Sequence, residues 1–319
     1  MRRFRSAVFL FAAALFLSAC GRQEAPAASS SKPFITYGSS RAESVQAETS
    51  SAEISSAETS SSGFTGMESH FLQSEPFVPE SSAPPEPTTV KVSIPEGFSV
   101  PQIAKRLEEK KVCKAADFLS AVNNYDFSPF DYAPLLSGIT SLPKRWYRLE
   151  GYLCPATYEF YIDMEPHNAV GKMLRAAYNS YGNKYAYPGW TFDQVLTLAS
   201  IIEKETGKTS EMKKISSVFH NRLKKGIQLK SDATIYYIEN YVRLFLTPAQ
   251  HKANQDNNVY KDYNTYKCKA LPAGPICSPS PAALDAAAHP ADTPYLFFKS
   301  DANGVYHYSE TGSEHVASK

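Results

Sequence analysis

The chain has 319 residues, 43% of them hydrophobic, which is enough apolar material for one or two globular domains. Its net charge is +1, and residues 1–19 contribute three arginines and no acid, so 30 basic and 32 acidic residues remain beyond them. No strongly basic surface of the kind that binds nucleic acid is therefore predicted. HExxH, GxSxG and glycine-rich phosphate-loop motifs are absent from the sequence, and neither a metal nor a cofactor is expected.

Residues 1–19 have the composition of an export signal. Arginines precede the apolar run AVFLFAAALFLS, which is too short to span a bilayer, since that requires roughly 20 helical residues. The run ends in LSACG, which resembles the lipobox of bacterial lipoproteins and implies cleavage before Cys20 and acylation of its thiol. We therefore expect a lipoprotein signal peptide and an extracytoplasmic protein anchored to the cell membrane. An ordinary signal peptide with an unrelated cysteine is the alternative.

Residues 20–88 are predicted to be a disordered, lipid-anchored tether. They are rich in Ser, Ala, Glu and Pro and contain the repeat AETSS AEISS AETSS, so they cannot form a core. A flexible coil of about 68 residues has a root-mean-square span of roughly 45 Å. Such a tether would let the folded part act away from the membrane surface.

Four cysteines remain beyond the proposed acylation site: Cys113, Cys154, Cys268 and Cys277. None is part of a CxxC pair, so their spacing does not indicate zinc. The sequence leaves two interpretations of Cys268 and Cys277, a disulfide or two small buried thiols.

Residues 89–145 are predicted to form a small α+β module. Alternating apolar residues at 90, 92 and 94 indicate a half-buried strand, and Pro95-Glu96-Gly97 indicates a turn. A capping box at Ser99 and Gln102 predicts the start of a helix, and a second helix is expected from Ala115 or Ala116. The pattern looks like a LysM-type module, whose usual ligand is a glycan containing N-acetylglucosamine. An ordinary packing unit is the alternative.

The segment LASIIEKETG contains two carboxylates near the end of a predicted helix. Thr191 and Gln194 form a capping box, so the helix should run from Phe192 to about Thr206, with Gly207 at C′. On a helical projection, Glu203 and Glu205 lie on opposite margins of the apolar face, and periodicity does not choose between them.

A carboxyl group beside apolar residues at the negative end of a helix is expected to have a raised pKa. A general acid at neutral pH needs a raised pKa, and such an acid can protonate a glycosidic oxygen. The alternative is that both glutamates are boundary residues of a surface helix.

Six motifs occur in register along the rest of the chain. They are LEGYLCPATYEF, LASIIEKETG, ISSVFHNRLKKGIQLKSDATIYY, YNTY, LPAGPICSPS and AAAHPADTPYLFFKSDANGVYHYSET. Together they resemble the endolytic murein (lytic) transglycosylase family of MltG/YceG-like type, over about Leu149 to His315. The chain departs from the family pattern at Cys154, Ala156, Ala273 and Ser280, the last standing where glycine is more usual.

The resemblance implies that Glu203 is the catalytic acid and that Glu205 supports it. The implied reaction cleaves the bond from N-acetylmuramic acid (MurNAc) to N-acetylglucosamine (GlcNAc) without water. It leaves a 1,6-anhydroMurNAc end and would limit the length of nascent strands. An α+β catalytic domain with lysozyme-like character is expected over residues 146–319. Its partners would be peptidoglycan glycan strands, the membrane and peptidoglycan synthases.

The resemblance also suggests residues that bind substrate or support the site. They are Glu150, Tyr152, Ser231, Asp232, Thr234, Tyr263, Asn264, Thr265 and Tyr266. Asp232 has the alternative role of a turn or cap residue. For Tyr263 and Tyr266 the alternative is core packing, and for Glu150 it is a structural ion pair. Asn264 and Thr265 are expected to bind an acetamido group or to orient Glu203.

Two rival functions remain open from the sequence. One is a muramidase that lets water attack in place of the sugar hydroxyl. The other is a non-catalytic glycan-binding lipoprotein that keeps the motifs but has no turnover.

Overall fold

The computed structural model describes residues 88–139, 145–182, 184–245 and 258–317. The predicted signal peptide, Cys20 and all of the tether except residue 88 lie outside these residues. In the part of the chain that is described, no helix combines the length and apolar character needed to cross a membrane.

The described residues combine helices with short strands, which confirms the predicted α+β class. In chain order the elements are β1 (Thr89–Ile94), α1 (Val100–Glu109), α2 (Ala115–Asn124), β2 (Ala156–Tyr161), α3 (Pro166–Tyr181), α4 (Phe192–Glu205), α5 (Thr209–Lys224), α6 (Asp232–Tyr237), α7 (Asn258–Tyr263), α8 (Pro281–Ala288), β3 (Phe297–Ser300), β4 (Tyr306–Ser309) and α9 (Gly312–Ala317).

The first sheet joins the two segments that the sequence analysis assigned to different domains. β1 pairs antiparallel with β2, so Val92 lies opposite Tyr158 and Ile94 opposite Ala156. The predicted alternation in β1 is confirmed, because Val92 and Ile94 are buried while Lys91 and Ser93 are exposed. Since β2 lies beyond residue 145, the expected module and the expected catalytic domain share one sheet and one continuous core.

The turn and helices that follow β1 begin where the sequence predicts. Gly97 has a φ of +75°, which glycine adopts without steric cost, and it ends the turn after β1. The side chain of Gln102 accepts a hydrogen bond from the backbone N–H of Ser99 at 3.0 Å, as in a capping box. The second helix starts at Ala115 and buries Phe118 and Val122.

Helix α4 lies in the core and carries both glutamates at its end. Its capping box at Thr191 and Gln194 is confirmed by a hydrogen bond from Thr191 N–H to Gln194 Oε1 at 2.8 Å. Every residue from Val195 to Ile202 is buried, because α4 packs against α5 and α8. Gly207 occupies the C′ position without a left-handed φ, so the helix ends through the extended backbone of Thr206 instead.

A buried ion pair fixes the start of α4. Arg145 Nη2 donates to Asp193 Oδ2 at 2.6 Å, and the hydroxyl of Tyr152 donates to Asp193 Oδ1 at 2.7 Å. The same guanidinium donates to the carbonyl of Ala273 at 3.2 Å. A Cβ at Gly274 would lie 2.4 Å from Arg145 Nε, so only glycine leaves room for this arrangement.

A C-terminal hairpin packs against the end of α4. β3 and β4 pair antiparallel around the predicted turn at Asn303-Gly304, which confirms the hairpin. The hydroxyl of Tyr306 donates to the carbonyl of Glu205 at 3.3 Å, and Lys208 Nζ donates to the carbonyl of Gly304 at 2.6 Å. The hairpin therefore braces the chain where α4 ends.

The cysteines of the described residues are not paired with one another. Cys277 is fully buried and donates to the carbonyl of Ser200 at 3.4 Å, whereas Cys268 is half-buried. Of the two interpretations left open, free thiols are what the structure contains, and the thiol of Cys277 is the buried one.

We expect Gly151→Ala to destabilise the protein much more than Gly189→Ala. Both glycines have positive φ, +84° and +79°, but a Cβ at Gly151 would lie 2.5 Å from Pro275 whereas none would be crowded at Gly189. Gly189→Ala, the control, should lower the free energy of unfolding by about 1–2 kcal/mol because alanine disfavours a positive φ. Gly151→Ala should lower it by the same amount and by a further ~1–3 kcal/mol because of overpacking. Urea unfolding measures both, and equal losses would contradict the packing argument.

Candidate active site

Glu203 is half-buried in the last turn of α4, where one carboxylate oxygen is held by the protein. Oε2 accepts from the backbone N–H of Ser280 at 3.0 Å and from its hydroxyl at 2.6 Å. No hydrogen bond to Oε1 occurs within the described residues. The carboxyl group is therefore fixed in orientation while its other oxygen stays available to a ligand.

Ser280 is a site residue that the sequence analysis treated only as a departure from the family pattern. It is the N-cap of α8, and its hydroxyl accepts from the backbone N–H of Ala283 at 3.2 Å while donating to Glu203. A serine followed by proline before an alanine-rich run is a typical helix start, and that signal was present in the sequence. What the sequence did not indicate was which side chain this cap would contact.

The turn after β1 lies directly beside Glu203. Gly97 N–H donates to the carbonyl of Ser278 at 2.7 Å, and Ser278 N–H donates to the carbonyl of Phe98 at 2.8 Å. A Cβ at Gly97 would lie 3.8 Å from Cγ of Glu203 and 3.4 Å from Nζ of Lys204. The N-terminal segment therefore forms one wall of the site.

Glu205 lies on the other margin of α4 and contacts a different element. Its Oε1 accepts from the hydroxyl of Ser231 at 2.5 Å, just before α6. Burial raises the pKa of Glu205 and the charge of Asp232 adds to the increase, while Ser231 and Arg222 oppose it. The raised pKa expected for a carboxyl at this helix end is thus present at Glu205.

Three hydroxyl residues form a buried network beneath Glu205. Ser231 N–H donates to the Thr265 hydroxyl at 3.0 Å, the Thr234 hydroxyl donates to the carbonyl of Ser231 at 2.9 Å, and the two threonine hydroxyls lie 3.0 Å apart. All three side chains are buried, so they support the site from below. Thr265 was expected to bind an acetamido group or orient Glu203; it instead fixes the residue that holds Glu205.

A polar and aromatic surface continues from this network. The hydroxyl of Tyr266 donates to Asp232 Oδ1 at 2.5 Å, and Asn264 Oδ1 accepts from the backbone N–H of Tyr266 at 3.0 Å. Tyr266 is 43% exposed, and Tyr236, one helical turn after Asp232, is 57% exposed. Tyr236 was not predicted as a site residue, because its exposed side chain, which the sequence does not show, is what distinguishes it from the other tyrosines.

Two of the predicted tyrosines lie in the core. Tyr263 is fully buried and packs against Tyr237 with ring centroids 5.4 Å apart, and Tyr152 is fully buried against Asp193. Neither ring can contact a glycan in this structure, so Tyr263 does not bind substrate and has the packing role that the sequence left open.

Glu150 is a fully buried carboxyl at the start of α1. It accepts from the backbone N–H of Val100 at 3.0 Å and from the hydroxyl of Tyr237 at 3.1 Å. In the described part of the chain no basic group forms an ion pair with it, so the structural ion pair that the sequence left open as an alternative is not formed, and Glu150 is a buried helix cap. Burial raises the pKa of Glu150 to about 8.

Glu203 is half-buried, so part of its side chain reaches the surface. A cavity of about 410 Å³ lies beside the first half of α4, against residues 269–273, and does not include either glutamate. Within the described ranges, no three His, Cys, Asp or Glu side chains group as metal ligands. A carboxyl group that is held on one oxygen can transfer a proton to a ligand that reaches the other oxygen.

Comparison with known proteins identifies relatives for most of the chain. The profile of the YceG-like family matches residues 74–319. A Streptococcus pneumoniae protein named endolytic murein transglycosylase is 32% identical over 256 residues, covering 74% of this chain and 46% of its own length. A Bacillus subtilis protein of the same name is 36% identical over 184 residues, covering 54% of this chain and 47% of its own.

The fold comparison agrees with the sequence comparison. A crystal structure of a YceG-like protein from Listeria monocytogenes matches with a TM-score of 0.60 and 30% identity, covering 73% of this chain and 76% of that one. The chain spans about half the length of the curated relatives that it matches.

We expect stability to fall with rising pH because of Glu150. Its pKa is about 8 in the folded protein and 4.5 ordinarily, so the folded state binds the proton more tightly and loses stability as pH rises from about 4.5 to 8. Glu150→Gln should remove this slope, on the order of a few kcal/mol in total. Urea unfolding across this range measures it, with the exposed Glu109→Gln as control; parallel curves for wild type and Glu150→Gln would contradict it.

Proposed function

Since the chain belongs to the YceG-like family, we propose that it is an endolytic lytic transglycosylase. It cleaves the MurNAc–GlcNAc bond within peptidoglycan glycan strands and leaves 1,6-anhydroMurNAc ends. The two relatives named endolytic murein transglycosylase support this reaction class. The structural observation that carries the proposal is the carboxyl of Glu203, held on one oxygen and open on the other.

Glu203 acts first as an acid. Its proton passes to the glycosidic oxygen as the bond between that oxygen and C1 of MurNAc breaks, so GlcNAc leaves with a new hydroxyl. The bond to Ser280 aims the carboxyl and keeps it from turning away. Because Glu203 is only half-buried, an internal bond of a long strand can reach it.

Glu203 then acts as a base. Its carboxylate takes the proton of the muramyl C6 hydroxyl while that oxygen forms a bond to C1 and closes the anhydro ring. Glu203 thereby regains the proton that it donated in the first step. The reaction therefore consumes no water and needs no second nucleophile. Glu205 is tied to Ser231 and supports the helix end, as the resemblance implied.

The glycan lies along the surface formed by Asp232, Tyr236, Asn264 and Tyr266. Exposed aromatic rings offer flat apolar faces to sugars, and the amide and carboxylate offer hydrogen bonds to hydroxyl and acetamido groups. Tyr236 and Tyr266 are the exposed rings of this surface. The buried hydroxyl network beneath them holds the surface in place.

The order strand, helix, helix, strand in β1, α1, α2 and β2 supports the LysM-like interpretation of the N-terminal segment and a role in binding glycan. Lysozyme-like character is supported by a glutamate at the end of a buried helix. The lipobox-like sequence before Cys20 supports a lipoprotein on the cell membrane. Endolytic action on nascent strands would limit their length, with peptidoglycan synthases as partners.

Mass spectrometry of digested peptidoglycan tests the reaction and the acid together. The full chain in detergent should produce anhydromuramyl ends, and Glu203→Gln should lower the rate by about 100-fold or more because the general acid is lost. Glu205→Gln should keep substantial activity. Glu109→Gln, at an exposed position, is the control and should keep full activity.

Other products would select another function. Reducing muramyl ends would show a muramidase that uses water. No cleavage of a verified substrate by the wild type would favour the non-catalytic binding protein. Equal cleavage by wild type and Glu203→Gln would indicate that Glu205, and not Glu203, is the acid.

We expect Ser280→Gly to lower the rate of glycan cleavage by about 10-fold or more while the protein stays folded. The hydroxyl of Ser280 donates to Oε2 of Glu203, so its removal leaves the carboxyl less well oriented for proton transfer. Glycine keeps the backbone donor and costs only a few tenths of a kcal/mol as an N-cap. Ser99→Gly, at the cap of α1, is the control, and an equal loss of rate in both variants would refute the assignment.

A further inference from the structure

The cavity beside the first half of α4 is used neither by the proposed reaction nor by the family resemblance. Its volume of about 410 Å³ lies within the range of roughly 300–1,000 Å³ that ligand sites occupy. Three parts of the chain enclose it, namely the start of α4, the end of α5 and residues 269–273. The cavity is therefore large enough for a short segment of a ligand.

The walls of the cavity are mostly apolar, and one of them is an aromatic ring that the protein holds in place. Trp190, Leu223 and Leu271 line the cavity and are half-buried. The Trp190 ring is stacked on the buried ring of His220 with centroids 4.8 Å apart, and Nε2 of His220 lies 2.9 Å from the carbonyl oxygen of Ala287. Because this support is buried, the aromatic wall is formed before a ligand arrives, which lowers the cost of binding.

The charges around the cavity favour an anion. Residues 223–231 and 263–273 flank the cavity and contain no aspartate or glutamate. Their lysines are all exposed: Lys224, Lys225, Lys230, Lys267 and Lys269. Asp193, the acidic residue of the lining, is neutralised by its ion pair with Arg145 at 2.6 Å. Lys269 also lines the cavity, and it forms no salt bridge within the described residues, so its ammonium group can pair with a ligand.

The cavity continues the surface on which the glycan is proposed to lie. Tyr266, an exposed ring of that surface, lies three residues before Lys269. A turn joins the two residues, in which the backbone N–H of Lys267 donates to the carbonyl of Asn264 at 2.9 Å. One loop therefore supplies both the glycan surface and a wall of the cavity.

The cavity also lies within reach of a short chain that starts near the proposed acid. Thr197 lines the cavity and lies six residues before Glu203 on α4, which corresponds to about 9 Å along the helix axis. About three extended residues, at roughly 3.3–3.6 Å each, cover that distance. A peptide attached to a sugar at Glu203 can therefore enter the cavity.

We propose that the cavity binds the acidic peptide that the lactyl group of MurNAc carries in peptidoglycan. Lys269 pairs with a carboxylate of the peptide, while Trp190, Leu223 and Leu271 contact its alanine methyl groups. This ligand matches both features of the cavity, since a neutral sugar leaves the lysine without a partner and a phosphate polymer leaves the apolar walls without one. The inference rests on the proposed function, in which the glycan lies across Glu203.

Cleavage of two matched substrates tests the proposal. Glycan strands that carry their peptides are compared with the same strands after an amidase has removed the peptides, and kcat/KM of the full chain in detergent is measured on both. The wild type should prefer the peptide-bearing strands by about 10-fold, because a charge-assisted hydrogen bond and apolar contacts are gained. Lys269→Glu should bring the ratio of the two kcat/KM values towards 1, because repulsion replaces attraction.

Lys114→Glu is the matched control, since it reverses the charge of an exposed lysine at the start of α2. It should keep the preference of the wild type. A wild type that cleaves both substrates equally well overturns the proposal, as does a Lys269→Glu variant that keeps the full preference or a Lys114→Glu variant that loses as much of it.

A second measurement does not require turnover. The chain has two tryptophans, Trp146 and Trp190, and only the second lines the cavity. In NMR spectra of the full chain labelled with ¹⁵N-tryptophan, a synthetic stem pentapeptide should move the indole signal of Trp190 in a saturable way and leave that of Trp146 in place. Trp190→Phe identifies the signal by its loss, and Lys269→Glu should weaken the binding.

Other results of the titration reject the peptide as the ligand. An unmoved Trp190 signal overturns binding in the cavity. A signal that moves with an oligomer of glycerol phosphate and not with the pentapeptide overturns the peptide and favours an anionic polymer.

The two measurements separate the inference from the function on which it rests. A wild type that cleaves no glycan refutes the proposed function, and the titration then still decides whether the cavity binds the peptide. A wild type that cleaves both substrates equally, with an unmoved Trp190 signal, refutes only the peptide site.

Discussion

The burial of α4 is the constraint on which the rest of the structure depends. A helix that is apolar along most of its length and packed by α5 and α8 has little freedom to rotate or shift, since interiors are close-packed. Its start is held by the ion pair of Arg145 and Asp193, which is buried and hydrogen-bonded to Tyr152. The direction of the side chains at its far end follows from that fixed axis.

Two serines give the two glutamates different surroundings. Glu203 is two residues from Glu205, so the two side chains leave the helix on opposite margins and meet different elements. Ser280 belongs to the start of α8 and Ser231 to the start of α6. One carboxyl keeps an oxygen open to a ligand, whereas the other is tied into the buried threonine network. Two glutamates at the same helix end thus have different hydrogen-bonding surroundings.

The segment before residue 145 and the described residues after it share one sheet and one core. β2 completes the sheet of β1, and the buried carboxyl of Glu150 caps α1 through Val100. The turn at Gly97 is hydrogen-bonded to the segment before α8. The pairing of β1 with β2, the cap of α1 by Glu150 and the turn at Gly97 therefore join the N-terminal segment to the residues around Glu203.

Local signals determined much of this structure from the sequence alone. The capping boxes at Ser99 and Thr191, the alternation in β1 and the Asn303-Gly304 hairpin depend on neighbouring residues, and the structure has all of them. The six motifs in register were enough to indicate the family. The two margins of α4 were also predictable, because helical periodicity sets them.

Tertiary structure alone decided what those margins contact. Burial of Tyr263 and of Glu150 depends on side chains that are far away in sequence, and pairing of β1 with β2 crosses about 60 residues. The contacts of Glu203 with Ser280 and Gly97 likewise join positions separated by 77 residues and by more than 100. Periodicity and caps specify an element and its faces; which face meets which partner is set by packing of the whole chain.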